Sequence, residues 1–170
     1  MPLFGKFFKE RIFLGDKVLD LGCGDKTKTA WIKSIGTVVT VDIWPKVNPD
    51  YLIDIGKQRL PFNNKAFDVV LMYDVIEHLP KKKGKFALEE AKRVTRRELI
   101  LVTPLIWDDN KKHVNNPNLW CFGNEYNLHR SLWDPMDFLV HDQGWQRILG
   151  IKDDEKYFLG IWTPPSKKTN

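Results

Sequence analysis

Short apolar runs alternate with amphipathic segments along the first two thirds of the chain. Apolar positions recur at helical spacing in 27–35, which stops at Gly36, and again in 83–95. The runs between these helices are nearly continuous in apolar character, as in strands buried on both faces of a parallel sheet. Five strands are predicted in this way, at 18–21, 38–43, 51–53, 67–72 and 98–103.

The pattern changes in the last third. Residues 105–130 are rich in Asn, Trp and His and lack periodicity, so we expect a long loop with short helical pieces. The sequence Ser131-Leu132-Trp133-Asp134-Pro135 is typical of a capped helix start, with Pro135 near the first turn. Gly144 is predicted to end this helix. Its predicted apolar stripe consists of Met136, Leu139 and Val140.

Two further strands close the sequence. They span 145–151 and 156–162, and the short polar link 152–155 predicts an antiparallel hairpin. Strands that alternate with helices favour a parallel α/β sheet. We therefore predict a doubly wound, mostly parallel seven-stranded sheet with a C-terminal antiparallel hairpin, in a single domain that spans 1–170.

Candidate chemistry begins where the first strand ends. The strand runs into Gly22-Cys23-Gly24, and a second strand ends on Asp42 about 20 residues later. Doubly wound sheets build nucleoside pockets from such parts, because glycine lets the backbone approach a ligand and the acid can accept two ribose hydroxyls.

These residues resemble the class I S-adenosylmethionine (SAM)-dependent methyltransferases of the small-molecule, methyltransferase-11-like type. The resemblance extends to Leu60-Pro61-Phe62 with Phe67-Asp68-Val69-Val70 a few residues later, and to Glu77-His78-Leu79 after the fourth strand. It covers about 16–163. It implies a Rossmann-like methyltransferase fold and a transferase that moves a methyl group from SAM to an unidentified acceptor.

The resemblance also assigns the cofactor contacts. Asp20 would hold the amino group of SAM, and the backbone of Gly22 and Cys23 would lie against its methionine and ribose. A side chain at Gly22 or Gly24 would fill the space of the ligand. Asp42 would bind the ribose, and Asp54 the adenine amino group. The predicted cofactor residues are Asp20, Gly22, Cys23, Gly24, Asp42, Ile43, Asp54, Ile55 and Tyr73.

The acceptor side is predicted around the fourth strand. Tyr73 would line the channel near the reactive methyl group, and His78 would orient the substrate or act as its base, since imidazole titrates near neutral pH. His129 is the third candidate catalytic residue, spaced i, i+4 from Trp133 at a helix start. Residues 104–131 are expected to form a substrate-side loop insertion.

One departure from the family pattern concerns the glycine loop. A third glycine is expected near Lys26, where the chain has Asp25-Lys26-Thr27. Dinucleotide-binding proteins need that glycine to pack strand and helix around a pyrophosphate, so SAM suits this chain better than NAD. An NAD-dependent enzyme and a catalytically inactive SAM- or nucleotide-binding interaction module remain alternatives.

Composition narrows the class of protein further. The 170 residues carry a net charge of +5, which leaves RNA open as an acceptor, although a small or sugar-containing molecule is favoured. No apolar run reaches the roughly 18 residues of a membrane span. The basic, apolar start (1–9) predicts a short helix at the sheet edge rather than a signal peptide. Two cysteines predict a cytoplasmic protein, and four dispersed histidines predict no metal site.

Overall fold

The computed structural model of the chain describes residues 5–140, 144–148 and 155–165. Its strands are β1 (Lys17–Leu21), β2 (Thr37–Asp42), β3 (Tyr51–Leu52), β4 (Phe67–Tyr73), β5 (Thr95–Pro104), β6 (Trp145–Arg147) and β7 (Tyr157–Trp162). They form one sheet in the order β3-β2-β1-β4-β5-β7-β6, in which β7 runs antiparallel to both of its neighbours and the other pairs are parallel. The predicted α/β fold is confirmed.

Successive residues of the central strands point to opposite faces of the sheet. In β4, Val70 and Met72 belong to one buried cluster, whereas Val69 and Leu71 belong to a second cluster on the other side. Both faces are therefore apolar, which is why these strands carry no polar alternation.

Helix α2 (Lys81–Val94) covers the first face. Its buried positions include Ala87, Ala91 and Val94, within the predicted helix 83–95, and they also include Gly84, which lies under the ring of Trp133. A Cβ on Gly84 would come within 2.5 Å of that ring, so the helix and the tryptophan can pack closely only because this residue is glycine.

The second face of the sheet is covered in part by a much shorter helix. Helix α1 (Gly5–Lys9) places Phe8, 2% exposed, against residues of β4 and β5. The short N-terminal helix is thus confirmed, but it packs on the face over the central strands rather than at the sheet edge.

The helix predicted for 27–35 is wrong. A single short 3₁₀ helix occupies Ala30–Ser34. Before it, the Thr27 hydroxyl donates to Asp25 at 2.7 Å and the Thr29 hydroxyl donates to Asp20 at 2.6 Å. Such side-chain hydrogen bonds hold the backbone in a turn and compete with α-helix formation.

The C-terminal third contains two short helices, α3 (Lys111–Val114) and α4 (Met136–Leu139). The stripe predicted for the latter is wrong, because Met136, Leu139 and Val140 are exposed and Phe138 is the buried residue. Residues 141–143 and 149–154 lie outside the described residues, and they include all of the predicted hairpin link 152–155 except Glu155.

Candidate active site

A cavity of about 870 Å³ opens at the carboxyl ends of the central parallel strands. Doubly wound sheets bind their ligands at this edge, where the strand order reverses beside β1. Every residue predicted for the site lines the cavity. Asp20, Gly22, Cys23, Gly24, Asp42, Ile43, Asp54 and Ile55 do so from β1 to β3, and Tyr73, His78 and His129 do so from β4 and beyond.

The glycine loop is needed for the packing of the protein itself. Gly22 and Gly24 have φ angles of 72° and 51°, in the left-handed region that favours glycine. A Cβ at Gly22 would meet Val75 at 2.5 Å, and one at Gly24 would meet the ring of Trp120 at 2.9 Å. A side chain at either position would therefore collide with protein atoms, and the expectation that it would also fill ligand space stays a prediction.

We expect Gly22→Ala to lower the free energy of unfolding by about 2 kcal/mol, roughly half from the positive φ and half from the contact with Val75. Gly123→Ala is the matched control. Gly123 has nearly the same φ, 73°, but a Cβ there would meet no atom within 4 Å. Urea denaturation should therefore show a loss of only about 1 kcal/mol for the control, and equal losses would disprove the contact argument.

The missing third glycine has a structural substitute. Lys26 itself adopts a φ of 64°, so the turn keeps the left-handed backbone that glycine would favour. The carboxylate of Asp25 accepts hydrogen bonds from the amide and the hydroxyl of Thr27, and the Lys26 ammonium donates to the Asn48 carbonyl. These contacts stabilise a conformation that lysine does not favour, and they give Asp25 a structural role.

Asp20 is a buried acid at the base of the cavity, 4% exposed. It accepts a hydrogen bond from the Thr29 hydroxyl at 2.6 Å. Burial raises the pKa of this carboxyl to about 6, against the smaller opposing effects of Thr29 and Lys28. A cationic ligand group beside Asp20 would favour its ionised form, which is what the predicted contact with an amino group requires.

Asp42 links the tip of β2 to the glycine loop. Its Oδ2 accepts from the Gly24 amide at 3.0 Å, and its Oδ1 accepts from the Trp44 amide at 2.8 Å. The carboxylate is thereby fixed in orientation, yet each oxygen keeps a further acceptor site. The amides of Gly22 and Cys23 both donate hydrogen bonds to the Val41 carbonyl, so both amides already have an acceptor within the protein.

Asp54 and Ile55 line the far side of the cavity from the end of β3. One oxygen of Asp54 accepts from the Gly56 amide, and the other pairs with Lys57 at 3.0 Å. Ile55 is 9% exposed and Ile43 is half-buried, so both offer apolar surface between the acids. The thiol of Cys23 is buried, which raises its pKa to about 12 and makes it unreactive.

Tyr73 lines the cavity from the end of β4. The ammonium of Lys28 lies 3.7 Å from the centre of the Tyr73 ring and 3.0 Å from Asp74 Oδ2. Burial raises the pKa of the Tyr73 phenol, so it stays protonated at neutral pH. Asp74 follows with a φ of 53°, and its Oδ1 is buried with no hydrogen-bond partner among the described residues.

The charge state of His78 differs from the expectation. Its Nδ1 lies 3.3 Å from the Leu128 carbonyl, which fixes the ring. Burial lowers the pKa of His78 to about 4, with a further contribution from His129. It is therefore neutral at pH 7, so the titration near neutrality that suggested a base does not hold for this ring. Its role in catalysis remains a prediction.

His129 lies close to His78, with 5.0 Å between ring centroids. The predicted i, i+4 pairing of His129 with Trp133 is wrong, because residues 128–135 are not helical. Trp133 is 1% exposed and stacks on Phe138 at 5.4 Å in the core. Its indole donates to Ile76 and Ser131, away from the cavity.

Residues 19–103 match the family model of the methyltransferase domain, and this segment makes up half of the chain. The chain belongs to the class I methyltransferases. No curated protein sequence matches it.

Solved structures agree with this fold. A TehB-like SAM-dependent methyltransferase from Corynebacterium glutamicum is 14% identical, with a TM-score of 0.65 over 95% of this chain and 86% of its own. A SAM-dependent methyltransferase from Aquifex aeolicus is 17% identical, with a TM-score of 0.61 over 92% and 87%. A Rhodobacter sphaeroides protein described as a putative Zn-dependent alcohol dehydrogenase is 12% identical, with a TM-score of 0.72 over 98% of this chain and 91% of its own. At such identities the likeness concerns the fold alone.

In this methyltransferase the long segment after β5 forms one wall of the cavity. His113, Trp120, Tyr126 and Arg130 line it together with His129, and α3 and a 3₁₀ turn are its short helical pieces. Trp120 lies over Gly24 and 6.3 Å from the ring of Trp44, so this segment reaches back to the glycine loop. No helix among the described residues is long and apolar enough to cross a membrane.

Glu77 was named above only as part of the Glu77-His78-Leu79 motif and not among the site residues. It is 1% exposed and lines the cavity. Its Oε2 accepts from the Thr103 hydroxyl at 3.0 Å, whereas its Oε1 has no hydrogen-bond partner in the part of the chain that is described. Burial raises the pKa of this carboxyl well above its usual range. An acid directly after the apolar pair Val75-Ile76 and next to His78 was the available signal.

Proposed function

We propose that this methyltransferase uses SAM as its cofactor and transfers the methyl group to a small-molecule acceptor. The observation that carries the proposal is the continuity of one cavity, from Asp20 and Asp42 at one end to His78 and His129 at the other. Two ligands can therefore meet inside it, near Tyr73.

The residues at the first end fit the chemistry of SAM. The buried Asp20 carboxyl can balance the cationic amino group, and Asp42 can accept both ribose hydroxyls at its remaining acceptor sites. Ile43 and Ile55 would flank the adenine, with Asp54 near its amino group. A pyrophosphate suits this site less well, because its negative charge would be repelled by the carboxyl groups of Asp20, Asp42 and Asp54.

The bound cofactor supplies an electrophilic methyl group on a sulfonium. The task of this chain is then to position the acceptor in line with that methyl group and to exclude water, so proximity accounts for much of the rate. Tyr73 and the aromatic side chains of Trp107 and Trp120 line the cavity and can face the sulfonium by cation–π attraction.

A small acceptor is supported by the depth of the second end. Glu77 is buried and His78 is fixed by a backbone carbonyl, so an acceptor atom must enter the cavity to reach them. RNA is the alternative acceptor that the net charge of +5 favours. We also propose a cytoplasmic location, which the two unpaired cysteines, Cys23 and Cys121, support.

Calorimetry with SAM, S-adenosylhomocysteine and NAD tests the cofactor. We expect the wild-type protein to bind both sulfur compounds and not NAD. Asp42→Asn should weaken the binding of both sulfur compounds at least about 10-fold, because the ribose loses a charged acceptor. The matched control is Asp50→Asn, since Asp50 also accepts hydrogen bonds from β2, at Thr40, but does not line the cavity.

A folded wild-type protein that binds neither sulfur compound would contradict the proposal, as would equal weakening by the two variants. Transfer from methyl-labelled SAM then separates the acceptors. Label in pools of small hydroxyl or amine compounds supports the small-molecule proposal, whereas label only in RNA would replace it with the alternative.

A further inference from the structure

We propose that Glu77, His78 and His129 form a binding site for a divalent metal ion of the Zn²⁺ class at the acceptor end of the cavity. The proposal deepens the function above and rests on it, because the ion would hold the acceptor. The sequence predicts no such site, since His129 is 51 residues beyond His78.

The geometry brings one potential ligand atom from each residue within 4.8 Å of the others. A tetrahedral ion with bonds of about 2.0–2.2 Å would hold its ligand atoms about 3.4 Å apart. Binding an ion therefore requires the ligand atoms to approach one another by up to about 1.4 Å. His129 is on the loop side of the cavity and is half-buried.

A buried carboxylate oxygen is the second observation. Glu77 Oε1 has no hydrogen-bond partner among the described residues, although a buried acceptor without a partner is costly. The other oxygen, Oε2, is held by the Thr103 hydroxyl. One oxygen is thus anchored and the other is left to bind, which is the arrangement found around carboxylate ligands of metal ions.

The ring of His78 is oriented in the same way. Because a carbonyl can only accept, the contact of 3.3 Å with Leu128 makes Nδ1 the protonated nitrogen. Nε2 then carries the lone pair that a metal ion requires. Ligating histidines in proteins usually donate their other ring nitrogen to a carbonyl or carboxylate, and His78 does so here.

The ligand set indicates the class of ion. Two imidazoles and one carboxylate suit Zn²⁺ and related transition metals better than Mg²⁺ or Ca²⁺, which prefer oxygen. Three protein ligands leave at least one coordination position open. The site lines the same cavity as Tyr73, so that position is accessible to an acceptor.

A bound ion would favour acceptors with a hydroxyl group. A divalent ion lowers the pKa of a coordinated hydroxyl, so its O–H bond breaks and the proton passes to water. The oxygen then uses a lone pair to form a bond to the methyl carbon, and the carbon–sulfur bond breaks with its electron pair on sulfur. The products are the methyl ether and S-adenosylhomocysteine.

Calorimetric titration of chelator-treated full-length protein with Zn²⁺ alone tests the site. We expect one ion per chain. His129→Ala should weaken Zn²⁺ binding by more than the roughly 10–100-fold that loss of a supporting group costs. His113→Ala is the matched control, because His113 also lines the cavity in the same segment but is not part of the cluster.

Co²⁺ substitution adds a spectroscopic readout, since its visible bands report nitrogen and oxygen ligands and should change in His129→Ala but not in the control His113→Ala. Glu77→Gln, checked for folding by circular dichroism, should also lose Zn²⁺. Absence of Zn²⁺ binding, or equal binding by wild type and His129→Ala, would overturn the metal site. SAM binding by the same samples is a separate measurement, so failure of the metal site and failure of the cofactor proposal are distinguishable.

Discussion

Trp133→Ala is expected to lower the free energy of unfolding by about 4 kcal/mol, the cost of removing a large core aromatic side chain. The indole is 1% exposed, stacks on Phe138 and fits over Gly84. It also donates hydrogen bonds to Ile76 and Ser131, so truncation leaves acceptors without a donor as well as a void.

The control for this prediction is another tryptophan of the same C-terminal segment. Trp107 is 52% exposed and lies at the cavity, 6.5 Å from the ring of His129. We expect Trp107→Ala to change stability by about 0.5 kcal/mol or less in urea denaturation. If the two variants lost similar stability, the assignment of Trp133 to the core would be wrong.

Asp20→Asn is expected to stabilise the free protein at neutral pH while weakening its cofactor binding. The folded state raises the pKa of Asp20 from 3.8 to about 6 because the carboxyl is buried. The contribution of the protonated carboxyl to the free energy of unfolding is therefore complete below pH 3.8. It is lost as the pH rises through 6 and the buried carboxyl ionises. The loss approaches about 3 kcal/mol, which the neutral amide avoids.

Urea denaturation at pH 4 and pH 7.5 checks this prediction. The gain in stability of Asp20→Asn should be small at pH 4 and large at pH 7.5, and calorimetry should show weaker SAM binding. Asp50→Asn should behave in the opposite way, because hydrogen bonds from Thr40 lower the pKa of Asp50. If the gain in the free energy of unfolding at pH 7.5 were no larger than that at pH 4, burial would not raise the pKa of Asp20.

The local sequence determined the sheet and one end of the cavity. Strand positions depend on runs of apolar residues, and those runs are visible without any tertiary contact. Gly22, Gly24 and Asp42 follow strand ends directly, and the carboxyl ends of parallel strands necessarily meet at one edge. For this reason the residues predicted from β1, β2 and β3 line one cavity in the structure.

Tertiary structure decided the other end. Glu77 and His129 come together because the Glu77 carbonyl accepts from the amides of Arg130 and Ser131, a contact across more than 50 residues that no local pattern encodes. Packing likewise placed Trp133 in the core rather than beside His129. The left-handed turn at Lys26 is set by side-chain hydrogen bonds instead of by glycine. Periodicity reports which face of an element is buried, whereas burial, charge state and ligand geometry depend on the neighbours that folding supplies.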